Sequence, residues 1–264
     1  MVLTPGLMVH APMGGFAAPD ITAADFQDST FGDFVNNYGS GITIINDPTG
    51  AGFGKVCKIL YHLSGTGLLD DNTSLAYTYP VGKTDLYHRM YVYFVDPGIQ
   101  GGVDVELMTN GVQRKLWYIN AGEGPDYWTG TIQRYNDGVT GTMDEGIYGP
   151  RSVTKTGQPD FFENETCCAI DVNLETWYYY EYRVKLNTPG SSNGTIQIWC
   201  GIKGAAGLEN ALIYNNTAAR IRDNSNNYLS CSVGQQLDIF MTGNTVDDTR
   251  YIKNLAISTQ RIGP

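Results

Sequence analysis

Histidine is scarce in this 264-residue sequence, with three residues at positions 10, 62 and 88. A proton-transfer site built on imidazole has to use one of them. Cysteine is sparse too: Cys57, Cys167, Cys168, Cys200 and Cys231 make an odd number, and no Cys-x-x-Cys spacing of a zinc site occurs. Adjacent Cys167 and Cys168 cannot bridge each other without strain, so the cysteines read as small buried apolar residues of a chain made under reducing conditions. Lys and Arg number 17 against 27 Asp and Glu, a formal charge of −10. Scattered cations in an acidic chain argue against nucleic acid as a partner. The start, MVLTPGLMVHAPMGGFAAPD, lacks a basic cluster and is broken by Pro5, Gly6, Pro12, Gly14 and Gly15. It reads neither as an export signal nor as a membrane span. Helical periodicity is nearly absent; the best short candidates are Thr22 to Phe26 and Ala205 to Asn210.

Turn formers and half-buried aromatics are plentiful, with 32 Gly and 18 Tyr. Together with the missing helical pattern they predict one all-β domain. The clearest strand runs from Tyr178 to Leu186. Its alternating sets are Tyr178, Tyr180, Tyr182, Val184, Leu186 and Tyr179, Glu181, Arg183, Lys185, and only a period of two separates an apolar-aromatic face from a charged one. A turn at Thr188 to Gly194 leads to a second strand, in which Ile196 and Ile198 alternate with Gln197 and Trp199. The pair is a hairpin. Further strands are expected at Val103 to Met108, Arg114 to Asn120 and Thr129 to Tyr135. Residues 136–166 hold few apolar periods and many turn formers, and read as a long loop region of the kind that carries recognition.

The sequence from Trp177 through VKLNTPG (Val184 to Gly190) to Ile-x-Ile-Trp (Ile196 to Trp199), with the closing Tyr251 to Thr259, resembles the concanavalin A-like lectin/glucanase superfamily. Within it the chain is most similar to jelly rolls of the alginate and glucuronan lyase type. The segment Asp85 to Ile99 is similar to the strand such proteins place before a long loop. The resemblance implies a single antiparallel β-sandwich jelly roll over residues 25–264, preceded by an extended arm over residues 1–24. That arm is expected to pack on its own domain or on a neighbouring subunit.

A lyase of this type removes the proton beside a uronate carboxyl group. It needs a group to neutralise the carboxylate, a base, and an acid that is commonly tyrosine. His10 lies in the arm, His62 in a strand-like run, and His88 alternates with Met90, Val92 and Phe94, which places it on an apolar face. On the opposite face of that strand stand Arg89, Tyr91 and Tyr93. Lys115 and Trp117 share a face of the strand expected at Arg114 to Asn120. With Arg183, Gln197 and Trp199 these residues form a candidate sugar-binding floor, in which aromatic faces stack on pyranose rings and polar neighbours bind hydroxyls. The same residue types also fill the interior of any β-sandwich. Sequence triplets expected of alginate lyases, Gln-Ile-His and Arg-x-Glu-Leu, are absent. So is the Glu-x-Asp-x-x-Glu strand of retaining glucanases, since Asp104 and Glu106 share a strand parity without a third acid. Asp70, Asp71, Asn72 and the pair Asp247 and Asp248 are candidate calcium ligands, although as turn residues they need no metal.

Three readings follow. With no catalytic triplet, no export signal and an apolar arm, the first is a non-enzymatic lectin-like protein that decorates a virus (phage) particle. It would act as a homo-oligomer beside capsid or tail proteins and could bind glycans, without nucleic acid, membrane or cofactor. The second is an extracellular polysaccharide lyase cleaving a uronate-containing polymer by β-elimination. The third is a free carbohydrate-binding module.

Overall fold

Among the described residues, the clearest apolar and polar alternation falls on strands. The computed structural model describes residues 16–37, 41–63, 74–100, 103–104, 113–120, 128–135, 142–148, 168–219, 221–222, 230–233, 236–237 and 246–264. In chain order the first strands are β1 (Thr22–Ala24), β2 (Val35–Asn37), β3 (Ile42–Asn46), β4 (Lys55–Leu63), β5 (Ser74–Thr78) and β6 (Asp85–Phe94). The middle of the chain gives β7 (Ile99–Gln100), β8 (Val103–Asp104), β9 (Gln113–Asn120), β10 (Trp128–Tyr135), β11 (Thr142–Tyr148) and β12 (Cys168–Asn173). The last third gives β13 (Trp177–Lys185), β14 (Gly194–Ile202), β15 (Ala211–Ala219), β16 (Ser230–Val233), β17 (Gln236–Leu237) and β18 (Val246–Ser258).

Two antiparallel sheets and a small β7-β8 ribbon hold all of these strands. The first sheet runs β15-β14-β13-β6-β18-β4-β3, with β1 also on β18. The second runs β12-β11-β10-β9-β16-β5-β2, with β17 also on β9. Strand β6 lies at the middle of the first sheet, paired from Tyr93 opposite Trp177 to Asp85 opposite Lys185 on one side, and with β18 on the other. The sheets bury one continuous core between them. The first sheet contributes Leu86, Met90, Val92 and Phe94, then Tyr178, Tyr180, Tyr182 and Val184, then Ile196, Ile198 and Cys200, while the second contributes Trp117, Ile119, Cys231 and Val233. Each large apolar side chain removed from water contributes about 1.5–3 kcal/mol.

Several expectations meet the structure here. The hairpin falls on β13 and β14, in register from Tyr178 opposite Ile202 to Lys185 opposite Thr195. Neither helix candidate is helical: Thr22–Ala24 is strand β1, held on Ala256 and its neighbours, and residues 206–210 are turn. Sheet pairing overrides the weak local pattern. The expected loop region at 136–166 contains β11, whose backbone is paired on both sides by β10 and β12; residues 136–141 and 149–166 lie outside the described residues, as do 105–108 of the strand expected at Val103 to Met108. Cys57, Cys200 and Cys231 are buried and unbridged, and burial pushes the Cys231 thiol up to about 12. Asp247 is exposed and Asp248 buried. Among the described residues no group of three or more His, Cys, Asp or Glu side chains could hold a metal ion.

The described part of the amino-terminal segment packs on its own sandwich. Beyond β1, Asp20 accepts hydrogen bonds from the Ser258 hydroxyl at 2.8 Å and the Thr259 amide at 2.7 Å, and also from the Thr259 hydroxyl. Phe16 lies against Gly263, where a β-carbon would sit 2.2 Å from its ring. Glycine at 263 therefore sets how closely the two ends approach.

Candidate functional site

Successive residues of a strand point to opposite sides, so the first sheet has an outer face as well as its core face. On β6 that face carries Tyr87, Arg89, Tyr91 and Tyr93; on β13 it carries Trp177, Tyr179, Glu181 and Arg183; on β14 it carries Gln197 and Trp199. The expected partners Arg89, Tyr91, Tyr93, Arg183, Gln197 and Trp199 thus share one face. Trp117 does not. It is 1% exposed and lies in the inter-sheet core, its ring 5.0 Å from that of His88. The backbone at Lys115 pairs with Ile132 across a register shift, after Trp117 has paired with Thr131. Strict alternation does not run through such a bulge, so parity with Trp117 does not place Lys115. The side chain of Lys115 lies outside the described residues.

Most of this face is not an open floor. Val56, Tyr91, Tyr93, Trp177, Tyr179 and Trp199 form a second buried cluster, with Tyr179 at 0% exposure and Tyr93, the most exposed of the six, at 8%. Three connections and the carboxyl-terminal tail cover it. From the loop after β3, Phe53 meets Trp177 edge-on at 4.7 Å and Tyr91 at 5.3 Å. The Trp177 indole N–H donates to Thr49 Oγ1 at 2.7 Å, and Asp47 fixes that loop by accepting from the Thr49 and Phe53 amides. From the β14-β15 turn, Glu209 accepts from the Tyr91 hydroxyl at 2.9 Å. That turn runs so close to β14 that a β-carbon on Gly201 would sit 2.1 Å from the Leu208 carbonyl oxygen. From the turn before β13, Glu175 accepts from the Tyr93 hydroxyl and, at 2.6 Å, from the Asp96 amide.

The tail is clasped by two opposite charges, buried Glu181 and half-buried Arg89. Glu181, 0% exposed, accepts hydrogen bonds from the Ile262 amide at 2.6 Å, the Tyr179 hydroxyl at 2.7 Å, and Arg261 Nε at 3.3 Å. Directly across the strand pair, Arg89 donates to the carbonyls of Gly263 at 3.2 Å and Asn254 at 3.3 Å. On β18, Lys253 donates to the carbonyls of Asp25 and Lys55. Every charged head on this part of the face is engaged in holding chain segments down.

The electrostatics agree with a structural role. Burial, helped by Glu209, pushes the Tyr91 phenol well above its ordinary value. Burial and Glu175 do the same to Tyr93, and burial and Glu181 to Tyr179. None of the three can serve as a phenolate base near neutral pH. His88 is equally unavailable. Complete burial lowers its pKa to about 3, so it stays neutral, with Nε2 2.7 Å from the Tyr79 hydroxyl and Nδ1 3.2 Å from the Tyr182 carbonyl. The carbonyl can only accept, so Nδ1 carries the proton and Nε2 accepts from Tyr79. His10 lies outside the described residues, as does the side chain of His62.

The candidate floor therefore divides. Arg89, Tyr91 and Tyr93 belong to the covered part, and Trp199 is capped by Arg261 at 4.4 Å. Arg183 and Gln197 stand at the end of the sheet where coverage stops. The sequence gives no sign of this covering, because it comes from loops and a tail without periodic pattern.

No protein-family model matches the chain, and the search of curated proteins finds no relative. Solved structures do resemble it. The alginate lyase Aly36B superposes with a TM-score of 0.58 at 14% identity, covering 94% of this chain and 100% of that one. A marine alginate lyase from Aplysia kurodai gives 0.54 at 15% identity, over 82% of this chain and 86% of that one. An endo-β-1,4-glucuronan lyase from the fungus Trichoderma reesei gives 0.53 at 12% identity, over 93% and 92%. The chain has the antiparallel jelly-roll fold of these alginate and glucuronan lyases.

Proposed function

We propose that the protein is a polysaccharide lyase that cleaves a uronate-bearing polymer by β-elimination, and that its site lies on β9, β10 and β11 of the second sheet. The observation that carries this reading is the covered outer face of the first sheet. A two-sheet sandwich offers two broad outer faces, and here the one that holds Tyr91, Tyr93 and Tyr179 is closed by loops and tail.

The chemistry asks for three functions. A cation or amide must neutralise the uronate carboxylate, which acidifies the neighbouring C–H. A base takes that proton, and an acid protonates the departing glycosidic oxygen as the C=C bond forms. Strand β9 carries Arg114, Lys115 and Tyr118, and β10 carries Gln133, Arg134 and Tyr135, with Gln133 opposite Arg114 in the backbone register. Such a set has no need of imidazole. Support for a lysine and tyrosine site comes from Aly36B, solved with an alginate tetrasaccharide after one lysine and one tyrosine had been changed to alanine. In a second variant of that enzyme, solved with an alginate trisaccharide, the altered lysine and methionine stand 28 residues apart. The same spacing separates Lys115 from Met143, which lie on the two strands flanking β10.

The test is turnover on a panel of uronate polymers, read as ultraviolet absorbance of unsaturated products. Wild-type protein is expected to produce them and Lys115→Ala to produce none. Binding without unsaturated products would replace the lyase with the lectin-like reading. The described part of the amino-terminal segment packs on its own sandwich and gives no support for a virion assembly.

A further inference from the structure

Coverage of the first sheet's outer face stops short of one end. There the face carries Asp85 and Tyr87 on β6, Arg183 and Lys185 on β13, Gln197 on β14, and Asn215 on β15. Asn215 and Lys185 are exposed, and the other four are partly so. Their polar groups form one row across four adjacent strands. Arg183 grips Asp85 in a fork, with Nε 2.9 Å from Oδ1 and a terminal nitrogen 2.8 Å from Oδ2. Its other terminal nitrogen donates to Gln197 Oε1 at 2.9 Å, and Gln197 Nε2 donates to Asn215 Oδ1 at 3.0 Å. Tyr87 stacks on Trp199 at 6.1 Å behind the row, and Arg183 lies 5.1 Å from the Tyr87 ring centre.

We infer that this row is a second carbohydrate-binding site, which holds an acidic polysaccharide without cutting it. Four strands spaced at about 4.8 Å make a row about 14 Å long, enough for a short oligosaccharide segment. The row presents planar amide edges beside the half-exposed Tyr87 ring, with Trp199 buried behind it, and amide edges and aromatic rings are the elements that bind sugar hydroxyls and ring faces. Charge selects the ligand. In a chain of formal charge −10, this end of the face carries Arg183, Lys185 and Arg261 against Asp85 and Glu181, and both carboxylates are already bound by arginine. The local excess is cationic where the molecule is acidic, and exposed Lys185 at the end of the row supplies an ammonium that pairs with a uronate carboxylate.

The choice of a uronate polymer rests on the reading proposed above, but the binding site lies on the other sheet from β9 to β11. Affinity electrophoresis through gels containing alginate separates the two. Wild-type protein and Lys115→Ala are expected to be retarded alike. Arg183→Gln combined with Lys185→Gln should weaken the apparent affinity about tenfold and leave the cleavage rate on a short oligosaccharide unchanged. Lys185→Glu alone, at an exposed position that tolerates substitution, should weaken retardation in the same direction. Wild-type migration of both variants, or no retardation of the wild type, overturns the inference. If the variants lose retardation and wild-type protein cleaves no polymer, the binding site stands and the lyase reading fails. If polymer is cleaved and retardation is insensitive to both variants, the reverse holds.

Discussion

The two faces of β13 are buried in different ways. Toward the second sheet, Tyr178, Tyr180, Tyr182 and Val184 enter an apolar core closed by another sheet. Away from it, Trp177, Tyr179 and Glu181 are as deeply buried, at 6%, 0% and 0% exposure, but beneath loops and the carboxyl-terminal tail. Sheet-on-sheet burial takes mostly apolar side chains, with hydrogen-bonded His88 and ring-stacked Arg250 as exceptions. Loop-on-sheet burial brings backbone amides and carbonyls that must be paired, so polar groups are placed beneath them: Glu181 for the tail amides, Arg89 and Lys253 for carbonyls, Thr49 for the indole. A charged residue on a strand here marks a fastening point for the chain that crosses it, and the covered face is a second core.

The strongest way to break that comparison is to remove one large ring from each face. Trp117→Ala in the inter-sheet core and Trp177→Ala beneath Phe53 should each cost about 3–5 kcal/mol in urea unfolding. If Trp177→Ala costs less than about 1 kcal/mol, the outer face is a loosely covered surface and the comparison fails. Next in size is Glu181→Ala, which leaves the Ile262 amide and the Tyr179 hydroxyl without their acceptor. It should cost about 2–3 kcal/mol and expose residues 259–264 to limited proteolysis, with the inter-sheet core intact by near-ultraviolet circular dichroism.

Acid titration sharpens the comparison further. His88 in the inter-sheet core has its pKa lowered from the ordinary 6.5 to about 3 by burial. Between those values the unfolded chain holds a proton that the folded chain does not, so stability rises with pH. As pH falls below 6.5, stability should drop by about 1.4 kcal/mol per pH unit until about pH 3, and His88→Phe should remove that slope. The smallest effect belongs to the tail. Partial burial opposes ionisation of Asp20, but hydrogen bonds from Thr259 and Ser258 outweigh it and hold its carboxyl below the ordinary 3.8. The stabilisation is complete above 3.8 and is lost as pH falls through the folded value. For so exposed a group it should stay below about 0.5 kcal/mol and be visible as faster amide exchange at Thr259.

What the sequence disclosed follows the same division. Period-two alternation identified β13, β14, β9 and β10 and put His88 on the core side, because sheet-on-sheet burial is periodic. It gave no warning of the second core. Nothing local in Asp47 to Phe53 or Lys203 to Glu209 says which strand those turns cross, and Glu181 looks like a solvent-facing residue until Ile262 is seen on it. Strand β11 was hidden by its composition, TMDEGIY, in which Gly and three polar residues blur the alternation while backbone pairing on both sides sustains the strand. Trp117 was misplaced because alternation says which residues share a face and not which face meets the other sheet; the bulge between it and Lys115, a property of two strands, also breaks the parity that linked the two. Of the candidate floor, the common face of Arg89, Tyr91, Tyr93, Arg183, Gln197 and Trp199 was legible, and its closure was not.

The most direct test of the central claim compares Lys115→Ala with Tyr91→Phe for formation of unsaturated products from uronate polymers. Tyr91→Phe removes a hydroxyl bonded to Glu209 on the covered face, and Lys115→Ala removes an amine on a strand of the second sheet. The account predicts near-wild-type turnover for Tyr91→Phe and none for Lys115→Ala. Loss of turnover in Tyr91→Phe with full activity in Lys115→Ala would contradict it, and would return the chemistry to the face described here as a second core.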